Sequence, residues 1–116
     1  MKVLLILNDP PYGTERSYNG LRLALALAKV AGTEVHVFLM ADAIGCARRG
    51  QATPEGWYNL ERMLKSLVGR GCPIGACGTC MDARGVVDAD LIEGVHRSSM
   101  AGLAAWTLEA ERTIVF

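Results

Sequence analysis

The segment CPIGACGTCMDARG, residues 72–85, holds three of the chain's four cysteines. Sulfur at this density fits a metal clip, a dithiol redox pair, or one activated thiol acting as a nucleophile. Cys72, Cys77 and Cys80 have the C-x4-C-x2-C arrangement of three ligands of a plant-type iron-sulfur centre, but no cysteine follows Cys80 to supply a fourth. Four-ligand zinc sites pair two close-spaced motifs, and only one is present. Neither a metal nor an organic cofactor is expected. C-G-T-C has the gap of a thioredoxin-type pair but lacks the tryptophan that usually precedes it there.

A single reactive thiol needs less. In an open α/β sheet, chemistry collects where the carboxyl ends of strands meet loops, and PIGAC reads as a short strand ending on Cys77. Amides of the following turn and the cation Arg84 would favour the thiolate, while Gly75, Ala76 and Gly78 leave room for a partner sulfur. Exposure is the property that separates this reading from a small buried cysteine, the reading expected for Cys46 and Cys72.

The flanking elements set the frame. KVLLIL and EVHVFLM are continuous apolar runs, suited to strands buried on both faces of a parallel sheet, and a helical segment joins them as a βαβ unit. That helix is expected from about Thr14–Ser17 to just before Gly32. Its apolar residues cover most of its circumference, which points either to self-association or to a helix tucked under the following loop. After a long loop with at most one short helical turn, Thr53–Pro54 is expected to open a helix carrying Trp57, Leu60, Leu64 and Leu67 as one stripe. A weak strand lies around Val95. Ser98 then caps a helix with a Met100, Leu103, Ala104, Thr107, Leu108 stripe, and ERTIVF closes the sheet. The expected fold is α/β: a three-layer α/β/α single domain over residues 1–116 with a mainly parallel five-stranded sheet.

If the sheet is parallel, Tyr12 and Gly13 after the first strand and Asp42 after the second border the same mouth as Cys77. His36 reads as a satisfied core residue, Arg48 and Arg49 as a solvated loop, and Trp57 and Trp106 as core or interface. His96 has no assignable carboxylate partner.

Twelve basic residues balance twelve acidic ones, so no overall field attracts nucleic acid or an anionic membrane. The apolar run Val3–Leu7 is shorter than a signal peptide's, and Arg22 and Lys29 interrupt the longest candidate span. A cytoplasmic protein is expected. NDPPYGTE lacks both G-x-G-x-x-G and the Walker pattern, which ranks a nucleotide-binding enzyme low.

In order along the chain, NDPPYGTERSYNGLRLALAL, VHVFLMADAIG, ARRGQ, CGTCMDARGV and AAWTLEAERTIVF resemble the DsrE/DsrF-like family, most closely its YchN branch. The resemblance implies a homohexamer and a sulfur-carrier or sulfurtransferase role, with persulfide sulfur accepted at Cys77 and passed between donor and acceptor proteins. Cys80 belongs to the C-x-x-C version found in that branch, and the relay subunits do not share it. The resemblance leaves Cys80 as a resolving thiol or as a guard that forms a disulfide with Cys77. The competing readings are a noncatalytic oligomer binding a small anion or protein partner, and a Cys77/Cys80 redox sensor.

Overall fold

The computed structural model describes residues 1–116. Its elements are β1 (Lys2–Leu7), α1 (Arg16–Ala28), β2 (Glu34–Leu39), a 3-10 segment (Ala41–Ala47), α2 (Leu60–Gly69), β3 (Ile74–Cys77), α3 (Gly78–Ala83), β4 (Val95–Ser98), α4 (Met100–Glu109) and β5 (Arg112–Val115). The five strands lie in the order β4-β3-β2-β1-β5, and every neighbouring pair is parallel. The sheet is thus wholly parallel, and all five carboxyl ends meet one edge.

A parallel sheet must be covered on both faces, and the strand sequences supply apolar residues to each. Leu5 and Leu7 of β1 register with Val37 and Leu39 of β2 and face α1. The helix lies close there, since a Cβ on Gly20 would stand 2.5 Å from Leu7 Cδ2. Leu4 and Ile6 register with His36 and Phe38 on the other face, where Trp106 of α4 meets those two rings edge-on at 4.7 and 6.2 Å. The buried apolar side chains form one cluster running through both layers.

Several expected boundaries move. Residues 53–59 are not helical: α2 begins at Leu60, because Asn59 is the cap and its Oδ1 accepts from the Arg62 amide at 3.0 Å. Trp57 therefore lies off the Leu60, Leu64, Leu67 stripe and is 66% exposed. Ser98 belongs to β4, and Ser99 caps α4 by accepting from the Gly102 amide at 3.1 Å. Of the expected α4 stripe only Leu103 is buried, while Met100 and Leu108 face outward. The excess apolar surface of α1 is partly taken up, with Leu21 and Ala24 buried, Leu23 and Leu27 half-buried, and Leu25 half-buried beside Met63 of α2. The larger uncovered apolar face belongs to α4 and β5. His36 is half-buried, and its buried Nδ1 has no protein partner.

Candidate thiol site

Cys77 is the last residue of β3 and the cap position of α3. Gly75 makes that approach possible: a Cβ there would press on Phe38 Cδ2 at 3.2 Å and Ser98 Cβ at 3.4 Å, so glycine lets both flanking strands close on β3. Ser98 lies directly across the ladder from Cys77, and Arg97 is across from Ala76.

Exposure does not single out Cys77, contrary to the sequence expectation. It is 3% exposed, close to the fully buried Cys46, whereas Cys72 and Cys80 are half-buried. Hydrogen bonding separates the two buried thiols. Burial pushes the Cys46 thiol up to about 12 despite help from Ser17. At Cys77 burial also opposes ionisation, but the Cys80 thiol, the Thr79 hydroxyl and the amides of both residues together hold it below the ordinary thiol range. Thr79 Oγ1 is 3.3 Å from Cys77 Sγ. The two amides face the sulfur without closing a formal capping bond to it.

Cys80 has the reverse character. Burial, then the adjacent Cys77 sulfur, raises its thiol above the usual value, while the Ala41 amide donates to its Sγ at 3.2 Å. A proton on Cys80 and a negative charge on Cys77 are the favoured division of the pair.

Arg84 sits beside Cys80. Its Nε and Nη2 both donate to Asp42 Oδ1, at 3.0 and 2.9 Å, and its Nη1 donates to the Cys80 carbonyl at 3.2 Å. Asp42 is thereby joined to the cysteine turn, and Gly78 is its first helical residue. Tyr12 is engaged elsewhere: its hydroxyl donates to Gln51 Oε1 at 2.6 Å and accepts from the Leu60 amide at 3.2 Å. Gly13 is exposed in the same loop, with a positive φ of 95°. Cys72 precedes β3 at the opposite sheet edge from Cys77, so the three-ligand spacing in the sequence does not become a cluster.

Sequence reasoning missed two residues. Arg97 of β4 forms a two-pronged ion pair with Asp82 of α3, with both contacts at 2.9 Å, and its guanidinium covers Gly78. Asp82 chiefly, then Asp88 and the Cys77 sulfur, favour its charged form. An arginine in a weak strand gave no local signal of this. Gln51 is the other: it accepts from Tyr12, donates its side-chain amide to the Cys46 carbonyl at 2.8 Å, and donates its backbone amide to Glu61 at 2.8 Å. It ties the loop after β1, the 3-10 segment and α2 together. Arg49 is exposed, as a solvated loop residue should be, and its Nε also donates to the Leu91 carbonyl at 2.6 Å.

A wholly parallel three-layer α/β domain with a paired thiol at a central strand end defines the class. Within it, the chain belongs to the DsrE/DsrF-like family, whose profile matches residues 1–116. It is 40% identical to Protein YchN of Escherichia coli K12 over 116 residues, covering 99% of this chain and 98% of that protein. An uncharacterised protein of Methanopyrus kandleri is 37% identical, over 98% of this chain and 93% of its own. The crystal structure of the Escherichia coli YchN protein superposes with a TM-score of 0.93, covering 99% and 98% of the two chains.

Proposed function

We propose that this chain is a cytoplasmic sulfur carrier of the sulfurtransferase type, with Cys77 as the accepting thiol. The observation that supports it most is the contrast between two buried cysteines, one silenced by burial and the other surrounded by hydrogen-bond donors at a strand end. The Cys77 thiolate attacks the outer sulfur of a donor persulfide. A bond forms between that sulfur and Cys77 Sγ, the donor's sulfur–sulfur bond breaks, and the electron pair and a proton go to the donor thiol. An acceptor thiolate reverses the sequence. Cys80 offers a second outcome: attack on Cys77 Sγ forms a Cys77–Cys80 disulfide and releases the outer sulfur as hydrogen sulfide.

The partners are donor and acceptor proteins, and the assembly is a homohexamer, for which the uncovered apolar face of α4 and β5 offers a contact surface. No helix is long and apolar enough to cross a membrane. The noncatalytic and redox-sensor readings predict no stable extra sulfur. Mass spectrometry after incubation with a small-molecule persulfide tests this: one added sulfur on Cys77, absent from Cys77→Ser, is expected. A Cys77 that gains nothing, or gives only the disulfide, overturns the carrier role.

A further inference from the structure

We propose that Arg97 is a positioning residue of the thiol site: its guanidinium, pinned by Asp82 over Gly78, is the fixed countercharge for sulfur anions at Cys77. The proposal rests on Cys77 as the reactive sulfur and adds the group that makes its anion tolerable.

Three features carry it. Arg97 lies across the ladder from Ala76, on the opposite sheet face from the Cys77 side chain, and its guanidinium reaches the thiol turn by lying over Gly78, the residue that follows Cys77. The guanidinium is fixed in direction, because both of its terminal nitrogens reach the two oxygens of Asp82 at 2.9 Å. Residue 78 leaves the guanidinium little room to spare: a Cβ would stand 3.0 Å from Arg97 Cζ, Nε and Nη2 and push it aside. A glycine immediately after Cys77 therefore admits an arginine from β4, which a larger side chain would displace.

The charged and titratable groups around Cys77 divide between two sides. Arg84 lies beside Cys80 and is neutralised by Asp42, while Arg97 with Asp82, and Asp88 beyond them, occupy the Gly78 side. Asp82 both orients Arg97 and competes for it. Removing the arginine and removing the aspartate should thus act on Cys77 with opposite signs, whereas loss of a merely structural tie between α3 and β4 would act with one sign.

The test uses the full chain. Iodoacetamide alkylation at Cys77 is followed by peptide mass spectrometry across pH, beside sulfur loading from a small persulfide. Arg97→Gln should slow alkylation at pH 7 about threefold and move its pH profile to higher pH. Asp82→Asn should react at the native rate or faster, and Arg97→Lys, which keeps the charge, within about twofold of native. Gly78→Ala, which keeps both charges but displaces the guanidinium, should slow the reaction and serves where Arg97→Gln does not fold. Native rates in Arg97→Gln or Gly78→Ala, or equal slowing by Arg97→Gln and Asp82→Asn, overturn the proposal. A native chain that alkylates with the expected variant pattern but never loads sulfur removes the carrier role and leaves Arg97 in place; normal loading with a flat variant pattern does the reverse.

Discussion

Ala41 holds a left-handed backbone at φ 51° while donating its amide to Cys80 Sγ at 3.2 Å, so a strained residue at the start of the 3-10 segment after β2 is tied to the second thiol of the site. A left-handed conformation costs a residue with a Cβ about 1–2 kcal/mol. Ala41→Gly removes that cost but loosens the unfolded chain by about 0.4–1 kcal/mol. The strain term wins, and the variant should be more stable by about 0.5–1 kcal/mol in urea denaturation. A loss of stability would show that the native contacts of the Ala41 methyl outweigh its strain.

Cys80 should set the acidity of Cys77. Among the donors that hold the Cys77 thiol down against burial, the Cys80 thiol is foremost. Cys80→Ala removes that donor, so the Cys77 thiol should move up and its alkylation curve shift to higher pH, with a rate at pH 7 about threefold lower. Cys80→Ser keeps a hydroxyl donor and should lose less. Because Cys77 is 3% exposed, a bulky aromatic disulfide should react far more slowly than iodoacetamide in all three proteins. Equal pH profiles in native and Cys80→Ala would remove Cys80 from this role.

The sheet was legible because buried parallel strands write continuous apolar runs, and KVLLIL and EVHVFL became β1 and β2 with little change. Cys77 was legible because a strand end followed by glycine is a local pattern. What failed depended on contacts between distant segments. Trp57 fell on the helical period of Leu60 and Leu64, but the Asn59 side chain caps the helix and starts it at Leu60, three residues later. Arg84 is the first cation after Cys77 in the sequence, yet Asp42, 42 positions away, holds it on the Cys80 side. Arg97 arrives only through the β3–β4 ladder. Charge pairing across a sheet has no signature in the spacing of one segment.

Cys46 should make the fold sensitive to alkali. Its folded value of about 12 lies above the ordinary 9.0, so its contribution is fully present below pH 9 and is lost as pH rises toward 12. The whole interval corresponds to about 4 kcal/mol. Cys72 and Cys80, also raised by burial, act in the same direction, and Cys77 opposes them. Cys46→Ala should be about 1 kcal/mol less stable near neutrality, from the sulfur volume lost, but show a shallower decline above pH 9. Parallel declines in the two proteins, measured by denaturation at several pH values, would place the alkaline sensitivity elsewhere.

The outer face of α4 and β5 should carry subunit contacts. Met100 and Leu108 are 61 and 88% exposed in a helix whose only buried residue is Leu103, and Val115 of β5 is 62% exposed. A helix that merely covers a sheet needs one apolar stripe, and α4 has apolar residues well beyond it. Leu108 touches little within the chain, so Leu108→Glu should leave monomer stability within about 0.5 kcal/mol of native. Placed in an apolar interface, the same carboxylate would lack a partner and cost several kcal/mol. Light scattering after gel filtration should therefore give the mass of six chains for the native protein and a smaller species for Leu108→Glu, with unchanged circular dichroism. If the variant keeps the native mass, this face is not the contact, and the apolar surface of α1 beside Tyr18 and Leu25 becomes the one to alter.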